Sequence, residues 1–219
     1  MSKLIVIEGT DCSGKETQSR MLVEKLNNMG KKSIYITFPN YSSPTGKIVG
    51  GPYLGKEEIC NSFFEEGAVN VDPKIASLYY AADRYYNLDM INKYINDDYY
   101  IIMDRYISSN MAHQGCKIEN NLERKELYNF IEKLEYELLN LPKPDLTIFL
   151  HMPYEYALKL KKNRLSLDEH EKSETHLKNA EKTYLELKDL YNFKYISCIK
   201  DNEIRKIEDI NEEILEIIL

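Results

Sequence analysis

Apolar residues are distributed along the chain in two alternating patterns, one of strand length and one with helical spacing. Short apolar runs of strand length occur at 4–7, 33–38, 99–103, 145–150 and 195–199. Between them, apolar positions recur with helical spacing over 14–29, 74–96, 122–139, 154–164, 171–190 and 203–214. Strands that alternate with helices predict an α/β fold, with a parallel five-stranded sheet flanked by helices on both faces. Ligands of such sheets bind at the carboxyl ends of the strands.

The first strand run leads into a glycine-flanked loop that ends in Gly14 and Lys15, and the first helical pattern follows. A strand, such a loop and a helix form the P-loop arrangement, which predicts a sheet of the P-loop NTPase type. The N–H groups of the loop, the positive end of the helix and the lysine charge then face one spot, which suits nucleotide phosphates. The alternative is a glycine turn that binds nothing.

Residue 16 departs from this motif. A serine or threonine normally follows the lysine and serves as a magnesium ligand, but this chain has Glu16 there and Thr17 one place later. One residue along a helix rotates the side chain by about 100°. We therefore do not expect Thr17 to replace the missing hydroxyl.

Composition restricts the class of protein. The chain has 219 residues, 43% hydrophobic and 30% charged, which predicts one globular domain over 1–219. The net charge of −7 argues against nucleic acid or an anionic membrane as a partner. No segment has the length and hydrophobicity of a membrane span or a signal peptide. The four cysteines are widely spaced, which indicates reduced thiols in a cytoplasmic protein and no zinc site.

The third strand run ends at Asp104 and Arg105. A carboxylate at the end of a buried strand beside a P-loop is the usual position for holding magnesium, directly or through water. An arginine there can clamp a phosphate with two parallel N–H bonds. By themselves the two residues also fit a surface ion pair, but the neighbouring P-loop favours the functional interpretation.

Two further basic positions have competing explanations. Tyr80 and Arg84 share a helix face, where a ring and a guanidinium can stack on and hydrogen-bond a base. On spacing alone, a packed tyrosine and a solvated arginine are favoured.

Arg164 ends a basic cluster at 161–164. The cluster fits a mobile loop that closes over phosphates. Taken alone, it is better explained as a helix end whose cations complement the helix dipole.

In this order, the motifs resemble those of the thymidylate kinase family over nearly the whole chain. The matching segments are Ile7-Glu8-Gly9-Thr10-Asp11-x-Ser13-Gly14-Lys15, Phe38-Pro39, Tyr80 with Asp83-Arg84, Asp104-Arg105-Tyr106-x-x-Ser109, Ala112-x-Gln114-Gly115 and Leu141-Pro142-x-Pro144-Asp145. The resemblance implies a nucleoside monophosphate kinase with a lid near 161–171. Its reaction would be ATP-dependent phosphorylation of dTMP to dTDP by direct in-line transfer, with Mg²⁺ and usually in a homodimer.

The resemblance also implies a donor site. Its ATP-binding residues would be Gly9, Thr10, Asp11, Cys12, Ser13, Gly14, Lys15, Glu16 and Thr17. Magnesium would be held by Asp104 and Asp11. The catalytic residues would be Lys15, Arg105, Arg164 and Asp104.

For the acceptor site, the resemblance implies that Tyr80 stacks on thymine and that Arg84 bonds its 4-oxo group. Arg105 would hold the dTMP phosphate. Further acceptor-site residues would be Asp11 at the 3′-hydroxyl, Asn110 at the base edge, Phe38 and Pro39 in the pocket wall, Tyr41, His113 and His170.

Several of these positions depart from the common pattern of the family. Tyr41 stands where many members carry an arginine on the acceptor phosphate, although its hydroxyl can still donate one bond. His113 and His170 stand near the sugar, where an aromatic residue is common. Arg164 is the single arginine of the lid, so we expect it to contribute more of the charge stabilisation.

Two other functions remain open at this point. One is a kinase for another pyrimidine nucleotide, such as dUMP or dCMP, or for a deoxynucleoside. Tyr80 and Arg84 favour a 4-oxo pyrimidine over cytosine. The other is a nucleotide-binding module without turnover, which Glu16 suggests. The intact set of charged residues argues against it, namely Lys15, Asp104, Arg105 and Arg164.

Overall fold

The computed structural model describes residues 3–161 and 173–219, without the side chain of Lys161. Its centre is a parallel sheet whose strands are β1 (Lys3–Gly9), β2 (Ser33–Thr37), β3 (Tyr100–Asp104), β4 (Leu146–His151) and β5 (Lys194–Ser197). They lie in the order β2-β3-β1-β4-β5, and each neighbouring pair is parallel. The predicted α/β fold with five parallel strands is therefore confirmed.

Helices cover both faces of this sheet. They are α1 (Lys15–Asn28), α2 (Pro44–Ile48), α3 (Pro73–Tyr86), α4 (Leu88–Asn96), α5 (Ile107–Gly115), α6 (Asn121–Glu132), α7 (Tyr154–Lys161), α8 (Glu174–Leu190) and α9 (Ile207–Ile218). π-helical turns extend α2 and α6 over Val49–Tyr53 and Lys133–Leu138, and a 3₁₀ turn covers Ala68–Asn70. Within 3–161 and 173–219, no helix combines the length and hydrophobicity that a membrane crossing requires.

Alternation along β1 divides the core into two layers. Leu4 and Val6 face one side of the sheet, where they pack with residues of α4, α5, α6 and α8. Ile5 and Ile7 face the other side, which α1 and α9 cover. None of the four is more than 3% exposed. Burial of each such side chain stabilises the fold by about 1.5–3 kcal/mol, so the central strand is held firmly from both faces.

Strand register brings three strand ends to one edge. Ile7 lies opposite Asp104 of β3, and Thr37 lies opposite the same residue from the other side. Gly9 lies opposite Leu150 of β4. The loops after β1, β2 and β3 therefore leave the sheet side by side, as expected for ligand binding at the carboxyl ends of parallel strands.

The single helix predicted over 74–96 is wrong, because the chain turns at Asn87 between α3 and α4. The Asn87 side chain donates to the carbonyl oxygen of Asp83 at 2.8 Å and accepts from the side chain of Asn40 at 2.8 Å. Asparagine readily forms such local bonds in place of helix geometry. A contact with the distant residue 40 thus ends the helix where its apolar spacing would continue it.

The helix predicted over 203–214 is also wrong at its start. Glu203–Ile204 pairs with Ile199–Lys200 in a two-stranded antiparallel ribbon, and α9 begins only at Ile207. Asp201 and Asn202 make the turn with φ of 51° and 62°. Asp and Asn tolerate positive φ, which a two-residue hairpin turn of this type requires. This dipeptide was the available signal for a hairpin.

Candidate active site

The loop between β1 and α1 needs glycine at two positions. A Cβ on Gly9 would lie 2.6 Å from the carbonyl oxygen of Leu150, so no side chain fits there. Gly14 precedes α1 with φ of 79°, in the left-handed region that glycine adopts without strain. The loop therefore curls in front of the first turn of α1, whose free N–H groups form an anion site.

The ammonium group of Lys15 lies inside this loop. Its Nζ donates to the carbonyl oxygens of Gly9 at 3.0 Å and Thr10 at 2.9 Å. Burial, followed by the charge of Arg105, lowers the pKa of Lys15 to about 8, although nearby carboxylates oppose this shift. A phosphate that arrives beside Lys15 would stabilise its charged form and raise the pKa again.

A polar cavity of about 300 Å³ lies between the loop and the end of β3. Its walls are Asp11, Cys12, Gly14, Lys15, Glu16, Thr17, Asp104 and Arg105. The other three predicted phosphate-binding residues, Gly9, Thr10 and Ser13, are buried in the same loop. Thr10 anchors the loop, because its hydroxyl donates to the carbonyl oxygen of Met152 at 2.7 Å and accepts the N–H of Met152 at 2.8 Å.

Three carboxylate residues line this cavity, namely Asp104, Asp11 and Glu16. Oδ2 of Asp104 accepts a hydrogen bond from the Tyr35 hydroxyl at 3.1 Å, whereas Oδ1 is buried without a partner among the described residues. A buried oxygen without a partner is costly, and carboxylate oxygen is a ligand that Mg²⁺ prefers. Groups of three or more His, Cys, Asp or Glu residues that could hold a metal are absent from 3–161 and 173–219. Magnesium beside phosphates usually takes only one or two carboxylates and keeps its water, so Asp104 and Asp11 fit it.

Glu16 belongs to a chain of contacts on the outer side of the cavity. It forms an ion pair with Arg20 at 2.9 Å, and both side chains are more than half exposed, at 65% and 59%. The guanidinium of Arg20 lies 4.2 Å from the centre of the Tyr35 ring. Glu16 is therefore connected to Asp104 through Arg20 and Tyr35.

Arg105 leaves β3 with a φ of 67°, which is uncommon for a residue with a side chain. Its guanidinium lies 3.5 Å from Oδ1 of Asp11, 3.4 Å from Nε2 of His113 and 3.5 Å from the hydroxyl of Tyr184. Contacts of this length are weak hydrogen bonds. Burial alone lowers the pKa of Arg105, but Tyr184 and the surrounding carboxylates raise it overall. Arg105 is therefore a cation whose present partners hold it only loosely.

Asp83 holds the chain segment that follows β2. Its buried carboxylate accepts three hydrogen bonds of 2.7, 2.8 and 3.0 Å, from the N–H of Asn40 and the hydroxyls of Ser43 and Thr45. The segment begins with Phe38 and Pro39, which are joined by a cis peptide bond. The two predicted wall residues are thus fixed beside the end of β3. Asp83 had no predicted role, because nothing in the sequence pairs it with residues 40–45.

Arg84 follows Asp83 on α3 but points into the core, where it is 2% exposed. It forms a two-bond ion pair with Glu135, through Nη2 and Oε1 at 2.6 Å and through Nε and Oε2. Burial by itself lowers the pKa of Arg84, but the charge and hydrogen bonds of Glu135 raise it overall. The solvated arginine favoured by spacing alone is therefore wrong. Nη1 takes no part in this ion pair.

The two predicted tyrosines of the acceptor site are partly buried. Tyr80 lies one helical turn before Arg84, and its ring meets that of Tyr53 edge-on, with centroids 5.8 Å apart. Tyr41 packs beneath the ammonium group of Lys56, which lies 4.9 Å from the ring centre. The packed tyrosine of the alternative interpretation is thus correct for Tyr80, and part of its surface stays accessible to a ligand.

Two buried amides lie on one face of α5, at Asn110 and Gln114. Asn110 donates to Glu135 at 3.3 Å. Its Oδ1 and both polar atoms of the Gln114 side chain have no hydrogen-bond partner among the described residues. Buried polar groups almost always have one, so these amides indicate a polar ligand or ordered water. Gln114 had no predicted role, although it stands in one of the matching motifs.

His113 lies between Arg105 and a second histidine, His176. Its Nδ1 is 3.3 Å from Nε2 of His176, and the two rings stack with centroids 5.5 Å apart. Burial, followed by the charge of Arg105, lowers the pKa of His113 well below its usual value. His113 therefore presents a neutral ring beside Arg105, and no second cation. His176 was not predicted, because 63 residues separate it from His113.

Two predicted site residues, Arg164 and His170, lie outside the described residues. So does most of the lid predicted near 161–171. The described residues bring the remaining predicted donor and catalytic residues around one cavity, and they place Arg84 and Asn110 together at Glu135.

Comparison with known proteins finds a matching family model, related sequences and a similar solved structure. A family model described as "Thymidylate kinase" matches residues 7–214. A probable thymidylate kinase of Saccharolobus solfataricus is 32% identical over 206 residues, which cover 93% of each chain. The human thymidylate kinase is 31% identical over 71% of this chain and 64% of its own. The solved thymidylate kinase of Candida albicans superposes with a TM-score of 0.73 at 28% identity, over 99% of this chain and 91% of that one.

Proposed function

The chain belongs to the thymidylate kinase family, and we propose that it transfers the γ-phosphoryl group of ATP to dTMP, which gives ADP and dTDP. The observation that carries this proposal is the position of Lys15 and Arg105 at one polar cavity. Lys15 meets the phosphates of the donor, and Arg105 meets the phosphate of the acceptor. Positioning and charge neutralisation of this kind are most of what phosphoryl transfer requires from a protein.

The donor phosphates bind in the loop of residues 9–17. The free N–H groups at the start of α1 and the ammonium group of Lys15 are their partners. Two carbonyl oxygens hold Lys15 in place, and no carboxylate of residues 3–161 or 173–219 forms an ion pair with it. Its depressed pKa supports this assignment, because a phosphate would restore the charge that burial disfavours.

The acceptor binds on the side of α3 and α5. Arg105 holds its phosphate, and the base enters between Tyr80 and the buried amides of α5. Arg84 bonds the 4-oxo group of thymine while Glu135 keeps its guanidinium in place. Asn110 and Gln114 supply the remaining polar contacts to the base edge, as their atoms without partners suggest. Further assigned contacts are those of Asp11, Phe38, Pro39, Tyr41, His113 and His170.

Magnesium is assigned to Asp104 and Asp11, because Oδ1 of Asp104 is buried without a partner among the described residues. A magnesium ion held by these residues would neutralise charge on the ATP phosphates. The Tyr35 hydroxyl engages the other oxygen of Asp104. Tyr35 therefore holds the carboxylate with Oδ1 left for this purpose.

The reaction needs little acid–base chemistry, because the acceptor is a phosphate that is already ionised at neutral pH. Lys15 and Arg105 hold the two phosphates in line and neutralise their mutual repulsion. We assign the additional stabilisation of the transferring group to Arg164, which stays a prediction. Closure of the lid excludes water, which would otherwise hydrolyse ATP.

We also propose that the protein acts as a homodimer. Four large apolar side chains are exposed along α3, with 47% of Ile75, 45% of Leu78, 55% of Tyr85 and 56% of Tyr86 accessible. Exposed apolar patches of this kind mark interaction surfaces. Analytical ultracentrifugation should give twice the mass of 25.7 kDa, and Leu78→Glu should give the monomer.

The proposed location is the cytoplasm. Cys12, Cys60, Cys116 and Cys198 are all free thiols. Disulfides form in oxidising compartments and are rare in the cytosol, so the thiols support this location.

A coupled assay of ADP release tests the proposed function, with ATP and a panel of dTMP, dUMP, dCMP and thymidine. We expect turnover with dTMP to exceed that with dCMP and thymidine, because Arg84 suits a 4-oxo base and Arg105 a phosphate. Arg105→Ala should lose most of this activity. Equal rates with dCMP would refute the base assignment. ATP binding without turnover on any acceptor would identify a binding module instead.

A further inference from the structure

Glu8 is a completely buried carboxylate at the end of β1, with 0% exposure. Its Oε1 accepts the N–H groups of Tyr106 at 3.0 Å and Ser109 at 2.9 Å. Its Oε2 accepts the hydroxyls of Ser109 at 2.5 Å and Tyr184 at 3.1 Å. Burial raises the pKa of Glu8, although the hydrogen bond from Ser109, the charge of Arg105 and the N–H of Tyr106 oppose this shift. A buried polar group needs hydrogen-bond partners, and four donors here surround one carboxyl group.

These donors are placed around Arg105. The N–H of Arg105 itself donates to the carbonyl oxygen of Ile7 at 3.1 Å, and the next N–H, from Tyr106, donates to Glu8. Two consecutive residues of β1 thus hold the two peptide groups that flank the left-handed Arg105 backbone. Strained backbone of this kind persists only where its surroundings hold it in place.

The tip of Arg105 is connected to the same carboxylate. The Tyr184 hydroxyl donates to Oε2 of Glu8 and lies 3.5 Å from Nη1 of Arg105. It also lies 2.9 Å from the Ser109 hydroxyl, which donates to the same oxygen. Glu8 therefore supports the arginine mainly at its backbone, through Tyr106, and more weakly at its guanidinium, through Tyr184.

We propose that Glu8 is a positioning residue, which holds Arg105 in its left-handed conformation so that the guanidinium faces the acceptor phosphate. This inference rests on the proposed function, in which Arg105 binds that phosphate. Glu8 touches neither substrate in this arrangement and acts through Arg105 alone. Its loss should therefore weaken recognition of the phosphate and leave recognition of the base and of ATP unchanged.

Glu8→Gln is the informative substitution, because it keeps the volume and one carbonyl oxygen. That oxygen can still accept the two N–H groups. The NH₂ group that replaces the other oxygen is a donor, so the Ser109 and Tyr184 hydroxyls lose the oxygen that accepted their hydrogen bonds. A misplacement of about 1 Å can cost on the order of 10²-fold. We expect Glu8→Gln to weaken dTMP binding by roughly tenfold or more, and Glu8→Ala by more than Glu8→Gln.

Isothermal titration with dTMP and with thymidine separates positioning from general damage. Thymidine lacks the phosphate, so its affinity should change less than about twofold, while that of dTMP falls. In the Arg105→Ala background, Glu8→Gln should cause no further loss of dTMP affinity, because interacting residues are not additive. If Glu8→Gln does not fold, Ser109→Ala removes one donor to Glu8 and should give a smaller loss of the same kind.

Asn211→Ala provides the matched control. Asn211 is a completely buried polar residue that bonds Gln18 between α9 and α1, away from Arg105. The Asn211→Ala substitution should lower the melting temperature and leave the ratio of dTMP to thymidine affinity unchanged. The role of Glu8 is refuted if Glu8→Gln weakens both ligands equally, or if its effect adds to that of Arg105→Ala. A wild type that binds no dTMP would instead refute the proposed function, a result that is distinct from either.

Discussion

The buried ion pair between Arg84 and Glu135 gives the sharpest prediction for stability. Arg84 is 2% exposed and Glu135 is 0% exposed, and two hydrogen bonds join them. Asn110 adds a third bond to Glu135 at 3.3 Å. Glu135→Gln keeps the shape but removes the charge, so the Arg84 cation stays buried without its counterion.

The expected loss of stability in Glu135→Gln follows from this burial. Removing one partner of a buried ion pair costs about 3–5 kcal/mol, because an uncompensated charge remains in the core. Glutamine can still accept one of the two N–H bonds, so we expect the lower end of that range, about 3 kcal/mol. In a chain of this length such a loss lowers Tm by about 6–12 °C.

Urea and thermal unfolding of four proteins test the magnitude: wild type, Glu135→Gln, Arg84→Met and the double variant Arg84→Met/Glu135→Met. Glu126→Gln is the control, since it removes an exposed glutamate of α6 and should change the free energy of unfolding by less than about 0.5 kcal/mol. The double variant should be more stable than either single one, because replacing both charges by apolar groups is often neutral or stabilising.

The same variants also test the proposed role of Arg84 in dTMP binding. Glu135→Gln should weaken dTMP binding, since Arg84 then loses one of the two bonds that orient it, and ATP binding should be unchanged. A loss of less than 1 kcal/mol in Glu135→Gln would refute the reasoning. So would a double variant that is no more stable than Glu135→Gln or Arg84→Met.

Three further predictions concern the donor side. With its pKa near 8, Lys15 is charged below that pH and neutral above it, so ATP affinity should fall as the pH rises from 7 to 9.5. Titration calorimetry should detect proton uptake on ATP binding above pH 8. An ATP affinity that does not change with pH would contradict the role assigned to Lys15. Glu16→Thr should change stability by less than about 1 kcal/mol, because exposed ion pairs contribute little, and a large loss of activity would show that Glu16 has an active role. Tyr35→Phe should raise the magnesium concentration needed for half-maximal ATP binding, with dTMP affinity unchanged, because Asp104 loses the bond that holds it.

The predictable part of this chain is its local pattern. The short apolar run, the close glycines and the following helix were enough to predict β1, the loop and α1, because each needs only neighbours in sequence. The alternation of strands and helices predicted the sheet for the same reason. The residues at the ends of β1 and β3 could then be assigned to a ligand site, because parallel sheets bind ligands at the carboxyl ends of their strands.

Long-range polar pairs were beyond this kind of reasoning. Glu135 lies in a stretch whose helical spacing treats a glutamate as solvent-exposed, yet it is completely buried because Arg84, 51 residues away, takes up its charge. Asn87 ends a helix through a contact with Asn40. The pattern of apolar residues does not indicate which polar residues pair in this way. Only a structure, or an alignment with covarying positions, would identify the partners.

The neighbours Asp83 and Arg84 show how such pairs assemble a site. Adjacent residues on a helix project about 100° apart, so the two charges of α3 face different elements. Asp83 fixes the wall segment after β2, and Arg84 reaches across to Glu135, which also accepts a hydrogen bond from the amide of Asn110 on α5. One turn of α3 therefore sets the distance between the predicted wall and the proposed base-binding groups. A substitution that shifts α3 should disturb both together, which would make the proposed acceptor pocket one cooperative unit, distinct from the phosphate loop that the sequence motif already specifies.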